Sequence, residues 1–323
     1  MKQRQTRKHD TKNKSSGFSM KRVLITGSNS GIGFSTARWV SEISGVEEII
    51  LAVRSQSKGD EAIERLVKQT GRSASLFSVL LIDVGDLDSA MQAATNVEGP
   101  IDGMVLNAGG MMGKDTRTKA GVLTMFQVNT LGHSVFVDAM IKQGKLSTGA
   151  HIVWSGSEAT RGLPMMGFGF PGYAEKTSEC VDGYITGTAF QKRKDDVTYA
   201  YAKSIMTLYV SALARRHPEY VISSVSPGAT IGTDVAANAP WFMRFAFKYI
   251  GPCCGVPLGM MHSVDVAAQR YIHGLTANVT SGCFLASPKG KASGKLQDQY
   301  RLYPVLADEV LQEAAYEAVR KHF

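Results

Sequence analysis

The chain has 323 residues, of which 44% are hydrophobic and 20% are charged, a composition typical of a protein with a substantial core. Its net charge of +8 lies mainly at one end, because residues 1–22 contain eight Lys or Arg and one acid and so carry +7. A body that is close to neutral argues against nucleic-acid binding.

Residues 1–20 are predicted to form a disordered basic leader, since they are polar and have no apolar stretch of the kind that a secretory signal needs. Organelle targeting is the alternative role for this leader. The four cysteines match no metal-site spacing, so we predict a cytoplasmic protein with reduced thiols and no metal. They are Cys180, Cys253, Cys254 and Cys283.

The first predicted element is a strand over residues 22–26, which leads into a glycine-rich turn and a helix that begins near Gly33. Glycines allow the backbone to turn tightly and to approach a pyrophosphate, which the first amides of a helix can hold. The turn is therefore predicted to bind a dinucleotide. Its predicted cofactor contacts are Gly27, Ser28, Asn29, Ser30, Gly31, Ile32 and Gly33.

The second predicted strand, residues 48–53, ends at Arg54. In a dinucleotide site this strand end reads the ribose of the adenosine. No carboxylate stands there to accept a hydrogen bond from a 2′-hydroxyl, whereas the Arg54 guanidinium suits a 2′-phosphate. The cofactor is therefore predicted to be NADP rather than NAD.

Further along, a series of short motifs follows predicted strands and helices in a constant order. They are Ile82-Asp83-Val84, Asn107-Ala108-Gly109, the stretch 128–133 that contains Asn129, the strand end 152–157, Tyr199 with Lys203, and Ser226-Pro227-Gly228. From about residue 21 to about residue 294 this arrangement resembles the classical short-chain dehydrogenase/reductase family. The resemblance implies that Asp83, Val84, Asn107, Ala108, Gly109, Tyr199, Lys203, Pro227, Gly228 and Thr230 also contact the cofactor.

Tyr199 and Lys203 are four residues apart and share one face of a predicted helix. A lysine ammonium about 5 Å away would favour tyrosinate, so the pair could donate a proton to a carbonyl oxygen or accept one from an alcohol. We therefore expect Lys203 to lower the pKa of Tyr199. The resemblance implies that Ser157 holds the substrate oxygen, and that Asn129 supports Lys203, which also binds the nicotinamide ribose.

The assignment of the catalytic serine is ambiguous. The chain reads Ser155-Gly156-Ser157, and counting from Ile152 selects Ser157. If the strand continued through this stretch, both hydroxyls would lie on the same face, so Ser155 is the alternative.

A long segment, residues 158–197, separates Ser157 from Tyr199 and is interpreted as an insertion. It is predicted either to shape a substrate pocket or to pack on its own aromatic residues at the surface. Similar insertions occur in retinol-dehydrogenase-like and protochlorophyllide-reductase-like members of the family. Residues 230–262 form a second substrate-side region, whose aromatic stretch 241–250 suits a pocket, the core or peripheral membrane contact, but is too short and interrupted to span a bilayer.

Together these features predict one α/β domain over residues 21–323, a Rossmann fold with a doubly wound parallel sheet and helices on both faces. The predicted function is an NADPH-dependent carbonyl reductase, an oxidoreductase acting on an apolar small molecule. The alternatives are a C=C double-bond reductase and a non-catalytic NADP sensor or scaffold. The resemblance implies a homodimer or homotetramer formed through the helices near 119–144 and 198–217.

Overall fold

The computed structural model describes residues 20–112, 116–164, 168–190, 195–231 and 260–323. The leader over residues 1–19, the aromatic stretch 241–250 and the pair Cys253-Cys254 lie outside these ranges. Within them, none of the helices is long and apolar enough to cross a membrane.

Helices and strands alternate along the chain. The strands are β1 (Arg22–Thr26), β2 (Glu48–Val53), β3 (Phe77–Leu81), β4 (Ile101–Leu106), β5 (Leu146–Ser155), β6 (Val221–Val225), β7 (Phe284–Ala286) and β8 (Gln297–Asp298). The helices are α1 (Gly31–Val40), α2 (Gln56–Thr70), α3 (Leu87–Asn96), α4 (Thr124–Phe126), α5 (Gly132–Lys142), α6 (Ser178–Thr186), α7 (Asp195–Arg216), α8 (Val264–Thr276) and α9 (Glu309–Arg320).

The strands form one sheet in the order β3-β2-β1-β4-β5-β6-β7-β8. All neighbours pair in parallel except β7 and β8, which are antiparallel. The direction of winding reverses between β1 and β4, so a crevice opens there at the carboxyl ends of the strands. The predicted doubly wound Rossmann fold is confirmed.

Both faces of the sheet are covered by helices, and this explains why the sequence of β1 is a nearly continuous apolar run. Leu24 packs into the core cluster on one face, while Val23 and Ile25 pack into the cluster on the other, and all three are fully buried. Side chains alternate between faces along a strand, so a strand buried on both sides needs apolar residues at every position.

The second half of the 158–197 segment packs onto the body. Helix α6 lies against α9, and the rings of Tyr173, Tyr184, Phe190 and Tyr201 contact one another at centroid distances of 4.1 to 5.6 Å. Lys176 pairs with Asp308 at the start of α9. Asp182 of α6 accepts a hydrogen bond from His322, which lies just beyond the end of α9. This part of the segment therefore packs both on its own aromatic residues and on Tyr201 of α7 and helix α9.

Candidate active site

The β1–α1 turn contains three glycines at positions that disfavour other residues, two because of the backbone φ angle and one because of a close contact. Gly27 and Gly31 have positive φ angles of 66° and 55°, which favour glycine. A Cβ on Gly33 would lie 2.3 Å from the Gly27 carbonyl oxygen, so the helix and the strand end approach each other closely. The turn therefore has the tight geometry that a dinucleotide-binding loop requires.

The same turn presents polar groups without protein partners among the described residues. Helix α1 begins at Gly31, and the side chain of its N-cap residue, Ser30, makes no capping hydrogen bond. The Ser28 hydroxyl is buried and also lacks a partner among the described residues. Uncapped amides at a helix start attract an anion, so the loop fits the pyrophosphate of a dinucleotide.

Asn107, at the end of β4, holds this turn in place. Its amide nitrogen donates to the carbonyl oxygens of Thr26 at 3.0 Å and Gly27 at 3.3 Å. The Thr26 hydroxyl accepts from the backbone N–H of Ala108 at 2.9 Å and lies 3.0 Å from Nε2 of His133. Thr26 and His133 were not among the predicted site residues. The position of a polar residue, Thr26, at the end of an apolar strand is the one sequence feature that points to its role in holding this turn.

A cavity of about 510 Å³ follows the carboxyl ends of the strands. Most of the predicted cofactor residues line it, whereas Ser28 and Gly33 lie behind its wall. The lining includes Gly27, Asn29, Ser30, Gly31, Ile32, Arg54, Asp83, Val84, Asn107, Ala108, Gly109, Tyr199, Lys203, Pro227, Gly228 and Thr230.

At the β2 end of the cavity, two exposed basic residues line the wall: Arg54 and Lys58. Lys58 was not predicted, because it lies inside α2 and no local pattern distinguishes it from other surface lysines. Asp83 lines the cavity but also accepts a hydrogen bond from the backbone N–H of Gly85 at 2.8 Å, so its carboxylate closes a turn.

Tyr199 and Lys203 both point from α7 into the cavity, as their spacing predicts. Their exposed fractions are 8% and 4%, and Nζ of Lys203 lies 5.8 Å from the centroid of the Tyr199 ring. Nζ also donates to the carbonyl oxygen of Ser155 at 2.9 Å. Burial lowers the pKa of Lys203 to about 7, so its ammonium titrates near neutrality.

The expected lowering of the Tyr199 pKa by Lys203 is wrong for this structure. Burial raises the pKa of Tyr199, and the opposing influence is a hydrogen bond with Ser157 rather than the Lys203 ammonium. The physical reason is that the site is desolvated, which disfavours both tyrosinate and ammonium. Burial, and to a lesser degree the Lys203 charge, also lower the pKa of His133 to about 3, so its ring stays neutral.

The two candidate serines have different partners. Ser157 lines the cavity with Tyr199 and acts to lower the pKa of that residue, whereas the Ser155 hydroxyl lies 2.7 Å from the hydroxyl of Tyr271 on α8. Strand β5 ends at Ser155, so the alternation that would have put both side chains on one face does not reach Ser157. The geometry favours Ser157 as the ligand of a substrate oxygen.

Asn129 does not line the cavity but lies one layer behind it. It belongs to a π-helical turn, Gln127–Leu131, between α4 and α5. Its side-chain oxygen accepts from the N–H of Gly110 at 3.0 Å and its nitrogen donates to the carbonyl of Gly110 at 2.9 Å. Because Gly110 lines the cavity, Asn129 fixes a piece of the wall. Single π turns recur at functional sites.

The end of the cavity beside Tyr199 is apolar. Leu163 and Phe168 form a small hairpin through paired backbone hydrogen bonds of 2.8 and 3.2 Å, and the Phe168 ring lies 6.2 Å from that of Tyr199. The first part of the insertion thus contributes Leu163 and Phe168 to the lining of the cavity, and its role in shaping a substrate pocket stays a prediction. Sequence reasoning did not identify the remaining apolar lining here, Met111, Met112 and Ala229.

The β6 end contributes the stretch 227–230, which is tied to α8. Gly228 has a φ of 73°, and a Cβ there would lie 2.7 Å from a guanidinium nitrogen of Arg270. The hydroxyl of Thr230 donates to the carbonyl oxygen of Gly228 at 3.0 Å. This loop forms the wall opposite the glycine-rich turn.

A doubly wound sheet with a dinucleotide-type turn and a Tyr, Lys and Ser cluster at its switch point is the arrangement of a Rossmann-fold oxidoreductase. Residues 21–174 match the family model described as short chain dehydrogenase. Over residues 21–174 the chain is therefore similar to the short chain dehydrogenase family, and its curated relatives are named as oxidoreductases or short chain dehydrogenases.

Two curated relatives illustrate the similarity. The chain is 28% identical over 306 residues to a WW domain-containing oxidoreductase of Drosophila melanogaster, covering 90% of this chain and 69% of the relative. It is 29% identical over 255 residues to the short chain dehydrogenase virL of Hypocrea virens, covering 77% of this chain and 70% of the relative.

Solved structures show the same fold. Salutaridine reductase from Papaver somniferum superposes with a TM-score of 0.59 at 18% identity, covering 82% of this chain and 99% of that one. A blue fluorescent protein from a metagenomic library, solved in complex with NADPH, superposes with a TM-score of 0.59 at 21% identity, covering 85% of this chain and 99% of that one.

Proposed function

We propose that this protein uses NADPH to reduce a carbonyl group of an apolar small molecule, or NADP to oxidise the corresponding alcohol. The observation that carries the proposal is that Ser157, Tyr199 and Lys203 together line the dinucleotide cavity, with Nζ of Lys203 5.8 Å from the centroid of the Tyr199 ring. A reducible oxygen needs a proton donor and a hydrogen-bond partner at the same point, and these side chains supply both.

The choice of NADP rests on the β2 end of the cavity. Arg54 and Lys58 offer two cations there, and residues 54–58 contain no carboxylate to accept from a ribose hydroxyl. A guanidinium and an ammonium together suit a 2′-phosphate. The metagenomic blue fluorescent protein with the same fold is itself an NADPH complex, which is consistent with this choice.

Each side chain of the cluster has a distinct role in the proposed reaction. Bound NADPH supplies a hydride to the carbonyl carbon. The Tyr199 hydroxyl donates its proton to the carbonyl oxygen, so that an alcohol and a tyrosinate form, and the tyrosinate regains a proton from solvent. The Ser157 hydroxyl holds the oxygen while charge develops on it. Lys203, whose Nζ lies 5.8 Å from the Tyr199 ring, would bind the nicotinamide ribose.

The substrate class follows from the apolar end of the cavity. Leu163 and Phe168 lie beside Tyr199, and Met111 and Met112 line the neighbouring wall. A pocket lined in this way binds through apolar contact and leaves the polar cluster to orient the carbonyl. We expect the protein to act on aliphatic, aromatic, retinoid or steroid carbonyls rather than on charged substrates.

The proposal is tested by following NADPH oxidation with a panel of such carbonyls, with Tyr199→Phe beside the wild type and NADH as the comparison cofactor. We expect turnover to fall by about 10² to 10⁴ in the variant while NADPH affinity changes little. Products reduced at a C=C bond would instead identify a double-bond reductase. NADPH binding with no turnover of any compound would identify a sensor.

A further inference from the structure

The turn that carries Ser157 is anchored by a buried ionic cluster. Ser157 caps a single 3₁₀ turn, Glu158–Arg161, by accepting from the N–H of Ala159 at 3.2 Å. One turn of this kind has little stability of its own, so its position depends on what its side chains contact. The Glu158 carboxylate has an exposed fraction of only 7%, and the Arg161 side chain is fully buried.

Glu158 joins the turn to two distant parts of the chain. Nε and Nη2 of Arg161 both donate to its Oε2, and its Oε1 accepts from the N–H of Ser287, after β7, at 3.0 Å. Nη1 of Arg270 on α8 lies 3.6 Å from the same Oε1. Nη2 of Arg161 also donates a hydrogen bond to the carbonyl oxygen of Lys291 at 2.7 Å.

The cluster also reaches the loop that follows the neighbouring strand β6. Arg270 donates to the carbonyl of Ser226 at 3.1 Å, directly before Pro227 and Gly228, and to that of Gly294. A single carboxylate therefore connects the turn that holds Ser157 with the loop at the β6 end of the cavity. Buried ion pairs contribute little net stability, so a cluster of this kind is better explained by what it holds in place.

We infer that Glu158 is a positioning residue that, through its buried pairs with Arg161 and Arg270, sets the place of the Ser157 hydroxyl against Tyr199. This inference rests on the proposed roles of Ser157 and Tyr199. Its measurable consequence concerns Tyr199, because the hydrogen bond from Ser157 is what opposes the rise of the Tyr199 pKa. If Ser157 shifts, that bond weakens and the pKa of Tyr199 rises further.

The charged and titratable groups that face Tyr199 within the described part of the chain come from several elements. Lys203 lies on its own helix and Tyr271 lies on α8, where Arg270 in turn acts on Tyr271, and His133 on α5 faces Lys203. Glu158 itself faces Arg161, Arg270 and, at longer range, His262. A change at Glu158 therefore has a direct electrostatic effect as well as a positional one.

These two effects have opposite signs, which makes the test decisive. Glu158→Gln removes a negative charge near the site, which by Coulomb interaction alone would stabilise tyrosinate and lower the pKa of Tyr199. Loss of the Ser157 contact would raise it. The double variant Glu158→Gln/Arg161→Gln removes one charge of each sign, leaves no uncompensated guanidinium at Arg161, and provides a second protein in case the single variant fails to fold.

The experiment measures the pH dependence of kcat for alcohol oxidation, in which tyrosinate is the base. We expect both Glu158 variants to shift the midpoint upward by about half a unit or more, in the direction of Ser157→Ala, and to lower kcat about tenfold. Glu313→Gln is the matched control, because it breaks ion pairs with Arg215 and Arg216 at the far end of α7. Its midpoint should equal that of the wild type.

A second readout does not depend on turnover. The difference in tyrosinate absorbance between each protein and the same protein with Tyr199→Phe isolates the ionisation of Tyr199 during an alkaline titration. A midpoint that is unchanged or lower in both Glu158 variants would overturn the inference. Activity that survives Tyr199→Phe would instead overturn the proposed function and leave the absorbance measurement to decide the role of Glu158.

Discussion

Nζ of Lys203 lies 5.8 Å from the ring of Tyr199, one helical turn away, and donates to the backbone carbonyl of Ser155 at the point where β5 ends. The lysine thus connects the helix that carries the proposed acid to the strand end beside the proposed oxygen ligand. It is also a cation with an exposed fraction of 4%. Desolvation of this kind costs stability, and proteins accept such a cost mainly at functional sites.

The first prediction concerns the stability of Lys203→Met. The pKa of Lys203 falls from 10.5 to about 7 on folding, so the lysine opposes folding by about 4 kcal/mol at pH 7. Below pH 7 both states are protonated and the cost is constant. Between pH 7 and 10.5 the unfolded chain binds more protons than the folded one, so the cost shrinks as the pH rises.

We therefore expect Lys203→Met to be more stable than the wild type by about 3 kcal/mol at pH 7, after about 1 kcal/mol is lost with the bond to Ser155. This gain should disappear near pH 10, while activity is lost at every pH. Urea unfolding at both pH values measures it. The exposed residue Lys68 provides the control Lys68→Met, and a pH-independent difference for Lys203→Met would contradict the burial argument.

The second prediction concerns cofactor selection at the β2 end. Replacing both Arg54 and Lys58 with alanine should weaken NADPH binding about 10²- to 10⁴-fold, because charge-assisted hydrogen bonds to a phosphate are each worth about 1.5 to 3 kcal/mol. NADH binding should change less than threefold. Isothermal titration with both cofactors tests this, and Lys68→Ala, on the same helix but away from the cavity, is the control. Equal losses for NADPH and NADH would refute a 2′-phosphate site.

The third prediction concerns substrate contacts made by the hairpin of the insertion. Phe168 lines the cavity beside Tyr199, whereas Phe170 is 44% exposed and stacks on Tyr303. Phe168→Ala should raise the KM for large apolar carbonyls about 10-fold or more, since burying an aromatic ring against a ligand contributes about 1.5 to 3 kcal/mol.

Steady-state kinetics with one large and one small carbonyl measures this effect. The small substrate should be affected less, and Phe170→Ala should behave like the wild type with both. A similar rise of KM in both phenylalanine variants would indicate a general loosening of the insertion rather than a contact with substrate.

The fourth prediction concerns assembly. The family resemblance implies subunit contacts through helices near 119–144 and 198–217, but α9 packs on α7 within the same chain. The Tyr316 ring stacks on that of Tyr209 at 5.4 Å, and Arg320 pairs with Asp138 of α5. Because α9 covers one face of α7 and is tied to α5 by this ion pair, we expect a monomer. Sedimentation equilibrium at micromolar concentration measures the mass of the wild-type protein. A mass of two chains or more would contradict the expectation.

Short segments of the sequence were enough to predict much of the fold and part of the site. The positions of the three glycines, the apolar strands and the four-residue spacing of Tyr199 and Lys203 are properties of short segments, because backbone conformation and helical periodicity act over a few residues. These segments sufficed to predict the doubly wound sheet and the helix face that enters the cavity, and they are the basis of the proposed 2′-phosphate site at Arg54.

The tertiary structure decided what depends on packing between distant segments. Ser155 and Ser157 differ in their contacts because β5 ends at Ser155. The Ser155 hydroxyl also contacts Tyr271, which lies more than a hundred residues further along the chain. The raised pKa of Tyr199 follows from burial, which no spacing reveals. The cluster around Glu158 joins groups from three elements. Sequence by itself determined which residues could act together; desolvation and long-range contacts determined which of them do.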